Sequence, residues 1–214
     1  MCNVSCLVIG IAICNATAQL IPILPAGAAR FSDVQQGYWA QRCIEDLARR
    51  GFVSGYSDGS FRPSAPVTRA EFAVMIERAF QGAVWGTLPG MAVDFVDVPS
   101  NYWAYTAIQK ASEAQYLSGY PGKIFRPNRN ITRAQVLVAL ASGNQSNSKP
   151  NRAVATTLTA SFDDANSIPN YAKTQIAAAT ENGWVVNYPN VRLLNPNHAA
   201  NRAEVAAFLC QAVS

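Results

Sequence analysis

The feature of this chain that most restricts its fold is an internal repeat, because one unit of sequence occurs three times. The copies cover residues 31–80, 95–143 and 162–214, and the third copy is the most divergent. Repeats of this kind correspond to a supersecondary unit that cannot bury its apolar face alone, so neighbouring units pack on one another. We therefore expect the three copies to build one folded body.

The copies share a fixed order of aromatic, acidic, proline and arginine positions. Comparison within the one chain therefore indicates which side chains the repeated unit retains. The corresponding residues are Phe31, Phe95 and Phe162; Asp33, Asp97 and Asp164; Trp39, Trp103 and Tyr171; Tyr56, Tyr120 and Tyr188; Pro63, Pro127 and Pro196; and Arg69, Arg133 and Arg202.

Each copy has the pattern of two helices joined by a turn-rich loop. In the first copy, apolar residues between Trp39 and Ala48 recur at helical spacing, and Gly51 follows as a stop signal. The loop SGYSDGSFRP contains a tight Asp-Gly turn and a proline. A second apolar stripe then runs from Phe72 to Ala79. The pattern predicts an all-α fold of three tandem helix–loop–helix repeats.

The second helix of each copy is predicted to begin at a capping pair. In such a pair the N-cap side chain accepts from a backbone N–H three residues on, and a Glu or Gln there bonds back. We assign these residues to capping rather than to chemistry. The pairs are Thr68 with Glu71, Thr132 with Gln135, and Asn201 with Glu204.

The arginine that follows each N-cap is unexpected, because a cation near a helix N-terminus costs about 0.3–1 kcal/mol. Two interpretations remain open for Arg69, Arg133 and Arg202. The arginine could form a salt bridge with a neighbouring repeat. It could instead bind an anionic ligand together with the unpaired N–H groups of the helix N-terminus, since guanidinium matches carboxylate geometry.

The first 29 residues contain no charged side chain and resemble a secretory signal. An apolar core spans residues 7–14, and small-x-small sequences follow at 16–18 and 26–28. The positive segment that usually opens a signal is absent, so an upstream start and an uncleaved anchor both remain open. Cys43 and Cys210 lie beyond the leader in apolar helical patterns, and we expect small buried hydrophobes there rather than a disulfide.

Composition and motifs argue against several functions. The net charge of +4 comes without a polybasic run, so no nucleic-acid partner is expected. His198 is the single histidine and has no nucleophile set beside it, and no Gly-x-Ser-x-Gly sequence occurs. YSDGSF has too few acidic positions for a calcium loop, and CxxC and HExxH are absent. We predict neither an enzyme nor a cofactor or metal site.

The multi-part pattern FSDV…YW…GFVSGYSDGSFRPSAPVTRAEF resembles an S-layer homology (SLH) domain. The second copy resembles another, and the third resembles them more weakly. The resemblance divides the chain into a signal peptide-like leader (1–29), a first repeat (30–80), a second repeat (94–143), a polar linker (144–160) and a third repeat (161–214). It implies a pseudo-threefold spindle around a central three-helix bundle, with three grooves between lobes.

The resemblance also implies a function and a partner. Such domains bind cell-wall-linked polysaccharide without a covalent bond, often an acidic and pyruvylated secondary cell-wall polymer, and anchor proteins to the bacterial envelope. Peptidoglycan is a second candidate partner, and membrane contact is expected only through an uncleaved leader. The resemblance therefore implies an exported protein that lies in the cell wall. In a bacterium with two membranes, it implies a position on the periplasmic side of the outer membrane.

The family motif falls on TRAE (68–71), TRAQ (132–135) and NRAE (201–204), so the resemblance makes Arg69, Arg133 and Arg202 carboxylate contacts. Trp39 and Trp103 could stack on sugars or belong to the core. The loop tyrosines Tyr56, Tyr120 and Tyr188 are predicted sugar contacts. We expect Asp33, Asp97 and Asp164 to cap the first helix of each copy.

Departures from the family pattern in the third copy predict a degenerate groove there. Asn201 replaces threonine, Leu194 replaces the loop phenylalanine, and Asn187 replaces glycine. Two alternatives to polysaccharide binding remain open. The repeats could self-assemble or dock a protein at the cell surface, or the chain could be the anchoring fragment of a larger surface enzyme or porin.

Overall fold

The computed structural model describes residues 31–80, 93–143 and 149–213, so the predicted leader lies outside the described residues. These ranges contain α-helices and short 3-10 turns, with β-type pairing limited to isolated bridges, which confirms the all-α prediction. No helix in them has the length and apolar character needed to cross a bilayer. The helices are α1 (Gln41–Arg49), α2 (Arg69–Phe80), α3 (Tyr105–Glu113), α4 (Arg133–Gly143), α5 (Val154–Ser161), α6 (Lys173–Glu181) and α7 (Arg202–Ala212).

The helices pack in a cycle that joins the three copies. The second helix of each copy lies against the first helix of the next one: α2 packs on α3, α4 packs on α6, and α7 returns to pack on α1. Helix α4 also packs on α7. The side chains Phe72, Leu137 and Phe208 on the second helices are fully buried. Because no copy buries its apolar stripe within itself, the copies form one pseudo-threefold body.

A ring of three backbone hydrogen bonds closes this cycle just before the second helices begin. Val67 donates its N–H to Ala200 O at 3.0 Å, Ala200 donates to Ile131 O at 2.8 Å, and Ile131 donates to Val67 O at 2.9 Å. All three residues are fully buried. The ring therefore fixes the starts of α2, α4 and α7 relative to one another.

The three repeated aspartates do not cap the first helices, so that prediction is wrong. Helices α1, α3 and α6 begin after alanines with no side-chain cap. Asp97 instead accepts the N–H groups of Phe125 and Arg126, both at 2.7 Å. Asp33 and Asp164 accept the equivalent two backbone N–H groups in the first and third copies. Successive backbone N–H groups form an anion-binding concavity, and a side chain from the start of the repeat fills it.

A helix lies where the sequence pattern indicated a polar linker. Helix α5 packs on α6 and buries Leu158. The carboxylate of Glu181 accepts the N–H groups of Asn151 and Arg152 and the hydroxyl proton of Thr157. The sequence pattern did not indicate α5, because the few apolar residues of this helix are interleaved with Thr and Ala. Its stability in the fold therefore depends on tertiary contacts more than on a periodic stripe.

Cys43 of α1 and Cys210 of α7 form a disulfide, so the expectation that they stay unpaired is wrong. Their Cα atoms lie 5.5 Å apart although the residues are separated by 167 positions. Sequence spacing could not reveal this proximity, which arises because α7 packs back on α1. The disulfide links the first copy to the third and closes the cycle covalently.

Candidate functional site

Arg69 joins the first copy to the loop of the second. Its side chain leaves the first residue of α2 and only 3% of the residue is exposed. Nε donates to Phe125 O at 2.8 Å, and Nη2 donates to Ser118 O at 2.7 Å. The guanidinium also lies 4.4 Å from the centre of the Phe125 ring. The arginine that looked misplaced at the helix start is thus a buried bridge between repeats.

Arg202 makes the equivalent bridge from the third copy to the first. Nε donates to Phe61 O at 2.7 Å, and Nη2 donates to Ser54 O at 2.6 Å. The guanidinium lies 4.4 Å from the centre of the Phe61 ring. Both arginines therefore recognise the loop of the next copy through two backbone carbonyls and one aromatic face.

Arg133 bridges the second copy to the third, with a different set of partners. Nε donates to Leu194 O at 2.6 Å, whereas Nη2 donates to the Asn187 side-chain oxygen. Nη1 forms an ion pair with Glu204 at 2.8 Å. The asparagine that replaces glycine in the third copy is therefore a partner of the arginine. This ion pair is the salt bridge to a neighbouring repeat that the sequence left open.

The helix N-termini do not offer free N–H groups to a ligand, contrary to the sequence-based expectation. Arg69 donates its backbone N–H to Arg129 O at 2.9 Å, and Ala70 donates to Pro127 O at 3.0 Å. The starts of α4 and α7 donate to the next copy in the same way. Backbone amides at these ends are therefore occupied by loop carbonyls, and only side chains remain for binding.

The capping pairs supply the other bonds at these ends. In each pair the N-cap side-chain oxygen accepts the N–H three residues on, and the acidic or amide side chain there accepts the N-cap N–H. These reciprocal bonds join Thr68 and Glu71 (2.8 and 3.2 Å), Thr132 and Gln135 (3.1 and 3.3 Å), and Asn201 and Glu204 (2.9 Å each).

The copies meet at three equivalent junctions, which we call the first, second and third grooves, and each takes side chains from all three copies. The first groove is lined by Tyr56 and Glu71 of the first copy, Trp103 of the second and Arg202 of the third. Trp103 lies before α3 and is 64% exposed. Of the two roles left open for this tryptophan, its position favours a surface contact over the core.

The second groove has the same arrangement, one copy further along. Tyr120 and Gln135 come from the second copy, and the Gln135 amide donates to the Tyr120 hydroxyl at 3.2 Å. Arg69 lies 5.1 Å from the centre of the Tyr120 ring. Tyr171 of the third copy takes the place of the tryptophan. Burial raises the pKa of Tyr171, and the positive charges of Arg129 and Arg69 oppose that rise.

The third groove contains direct contacts between its own side chains. Trp39 of the first copy stacks on Tyr188 of the third, with ring centres 5.4 Å apart and planes inclined by 8°. Behind this stack, Glu204 holds Arg133. Tyr188, a predicted sugar contact, is thus stacked on Trp39, for which a sugar contact and a core position were both left open.

Burial sets the electrostatics of these grooves. Removal from water lowers the pKa of Arg69, Arg133 and Arg202, because desolvation disfavours the charged form. Arg129 and Arg126 lower the pKa of Arg69 further through repulsion, while Glu204 opposes the effect at Arg133. In the first and third grooves the capping residue beside the arginine is a glutamate, Glu71 or Glu204. In the second groove the equivalent residue is the neutral Gln135.

Sequence reasoning did not single out Arg126 and Arg129, which surround Tyr120. Their guanidinium groups lie 4.7 and 5.8 Å from the centre of that ring. The signal was present in the aligned loops, since the second copy has Gly122 where the first copy has Asp58. A comparison of charges between copies, in addition to the shared residues, would have found it.

Comparison with known proteins agrees with the repeat structure. The family model of the S-layer homology domain matches residues 30–73, 94–137 and 161–206, which together exceed half of the chain. The chain is 34% identical over 187 residues, 84% of its length, to the exoglucanase XynX of Acetivibrio thermocellus.

Two further relatives are named as an anchoring protein and a surface-layer protein. The chain is 45% identical over 73 residues, 34% of its length, to a cellulosome-anchoring protein of Acetivibrio thermocellus. It is 27% identical over 206 residues, 93% of its length, to the surface-layer 125 kDa protein of Lysinibacillus sphaericus. The matched region makes up 16% of each of these three relatives. With three matched repeats and the cyclic packing described above, this chain belongs to the S-layer homology domain family.

Proposed function

We propose that this chain anchors to the bacterial cell surface by binding a cell-wall-linked polysaccharide through its grooves. The family supports a role in attachment, since the matched relatives include a cellulosome-anchoring protein and a surface-layer protein. On this proposal the folded unit is a binding module with no catalytic role, and it acts outside the cytoplasm. The polymer is acidic, with a carboxylate-bearing substituent such as a pyruvate ketal.

One observation carries the proposal: two of the three bridging arginines keep a donor free. Nη1 of Arg69 and Nη1 of Arg202 make no hydrogen bond or ion pair with any residue that the structure describes. The guanidinium carbon of each arginine lies 5.1 Å from the centre of a tyrosine ring. A guanidinium donor beside an aromatic ring suits a sugar that carries an acid, because the ring packs on the sugar and the donor binds the carboxylate.

The grooves also suit a repeating polymer. They lie on one body whose copies are held together by the buried arginines and by the ring of backbone bonds. Two sites on a rigid unit that face one polymer gain from effective concentration, which can raise avidity by about 10²–10⁴. Modest affinity at each groove would therefore suffice for stable attachment.

Co-sedimentation with purified cell walls tests the proposal. We expect the chain to sediment with walls that retain their polymer and to remain in solution when the polymer has been stripped and the peptidoglycan kept. Equal binding to stripped walls would favour peptidoglycan itself as the partner. Failure to bind either preparation, with the fold intact by circular dichroism, would contradict the proposal and favour self-assembly or protein docking.

A further inference from the structure

The three grooves are equivalent in position but unequal in charge, and this asymmetry follows from a few aligned residues. The Glu or Gln of the capping pair is Glu71 in the first groove, Gln135 in the second and Glu204 in the third. The second groove is therefore the one whose capping pair contributes no carboxylate.

In the third groove the capping carboxylate also binds the bridging arginine. Glu204 caps α7 through Oε2, and its Oε1 pairs with Nη1 of Arg133 at 2.8 Å. The donor that a ligand would need is thereby occupied by the protein itself. Gln135 caps α4 through Oε1 and turns its amide to the Tyr120 hydroxyl. Gln135 therefore adds no negative charge beside Arg69. In the first groove Glu71 does add one. Burial lowers the pKa of Arg202 and Glu71 opposes that effect, without pairing with Nη1 of that arginine.

The loop of the second copy adds positive charge that the first copy neutralises. In the first groove, Arg62 lies 3.9 Å from the centre of the Tyr56 ring but is paired with Asp58 at 2.9 Å. In the second groove, Arg126 takes the place of Arg62, and Gly122 takes the place of the aspartate.

Neither Arg126 nor Arg129 forms an ion pair with a residue in the described ranges. Both are exposed, and both lie around Tyr120 together with the buried Arg69. Three arginines thus converge on one tyrosine ring, in a groove whose capping residue is neutral. Like charges at this separation repel, and an anion placed among them relieves the repulsion.

We infer that the second groove is the site that takes the acidic group of the polymer, and that Gln135 determines this choice. The inference rests on the proposed function and narrows the acid-binding site from two candidate grooves to one. Arg69 supplies the buried donor, while Arg126 and Arg129 supply the surrounding positive charge. The first groove, with Glu71 and the Arg62–Asp58 pair, suits an uncharged part of the chain.

The variant Gln135→Glu tests the inference with little risk to the fold, because Glu caps the equivalent helices α2 and α7. The matched control is Glu71→Gln, which makes the reverse change in the first groove. The probes are wall-polymer fragments released from the source organism, and the same fragments after reduction of their carboxyl groups to alcohols. Calorimetry measures affinity, and thermal unfolding verifies that the variants fold.

We expect Gln135→Glu to weaken binding of the untreated fragments by about tenfold to a hundredfold, since a charge-assisted hydrogen bond is lost and a like charge is added. Glu71→Gln removes a carboxylate from beside Arg202 in the first groove and should strengthen binding. Reduced fragments should bind the parent protein and Gln135→Glu equally weakly. Unchanged affinity of Gln135→Glu, or a loss with Glu71→Gln instead, would overturn the inference while leaving the proposed function standing. If the unaltered protein does not bind the fragments, the proposed function itself fails.

Discussion

Arg133 and Glu204 form an ion pair of 2.8 Å between the second and third copies, with side chains that are 4% and 19% exposed. The arginines at the equivalent positions of the other copies lack such a partner in the described residues. Arg133 therefore gives to Glu204 the Nη1 donor that is unpaired in Arg69 and Arg202 within the described residues. This internal bond joins the second copy to the third.

Removing this ion pair should destabilise the protein. Glu204→Gln keeps a capping oxygen but leaves a buried guanidinium without its counter-charge, so we expect the free energy of unfolding to fall by about 1–3 kcal/mol. Urea denaturation measures the change. Glu71→Gln is the control, because Glu71 caps α2 in the same way without an ion pair within the described residues. The free energy of unfolding should fall less in this variant than in Glu204→Gln. Equal losses in the two variants would show that capping, and not pairing, carries the energy.

Arg69 should be needed for folding as well as for binding. Arg69→Ala leaves the carbonyls of Phe125 and Ser118 without their donor and empties a buried space, so we expect a loss of about 2–4 kcal/mol in unfolding free energy. Arg69→Lys should lose less than Arg69→Ala but should not restore the parent stability, because an ammonium cannot serve both carbonyls as the planar fork does.

The measurement for Arg69 is again urea denaturation, with Arg129→Ala as control, since the Arg129 side chain is exposed. A parent-like midpoint for Arg69→Ala would contradict the bridging role. If the role holds, the alanine variant cannot separate binding from stability. Substitution at Gln135 is then the cleaner probe of the groove.

The sequence predicted much of the fold because its signals are local. Apolar periodicity and capping pairs place the starts of α2, α4 and α7, and the repeat implies that the copies pack on one another. The partners of Arg69 could not be predicted in the same way. Phe125 lies 56 residues away, and the cyclic order that brings it close is a property of the whole assembly.

The missed features have a similar physical origin. Cys43 and Cys210 meet because α7 returns to α1, and nothing near either cysteine encodes that meeting. Helix α5 has a weak apolar stripe and is held by the carboxylate of Glu181 at the end of another helix. The asymmetry of the grooves, in contrast, was encoded at Gln135 and Gly122 and needed the structure only to show that these positions face the arginines.

Docking of α5 should depend on pH through Glu181. Hydrogen bonds from the N–H of Asn151, the hydroxyl of Thr157 and the N–H of Arg152 lower the pKa of Glu181 below its ordinary value. A lowered folded-state pKa stabilises the protein above the ordinary pKa of glutamate, about 4.3, and that contribution is lost as the pH falls through the lowered value.

We therefore expect Glu181→Gln to reduce stability near neutral pH and to show a weaker decline on acidification than the parent. Thermal unfolding at several pH values measures both effects. Glu113→Gln is the matched control, because Glu113 ends α3 as Glu181 ends α6 and has no hydrogen-bond partner in the described residues. Parallel pH profiles for the parent and Glu181→Gln would contradict this account of how α5 is held.

The disulfide between Cys43 and Cys210 should be a major contributor to stability. It closes a long segment of chain, and a cross-link of this kind restricts the unfolded ensemble, so we expect Cys43→Ser to lower the free energy of unfolding by about 2–4 kcal/mol. Addition of a reductant should lower the free energy of unfolding of the parent protein by a similar amount. The double variant Cys43→Ser/Cys210→Ser serves as control and should not respond to reductant. A response in the double variant would assign the effect to other cysteines, and an unchanged midpoint for the reduced parent would show that packing of α7 on α1 suffices to close the cycle.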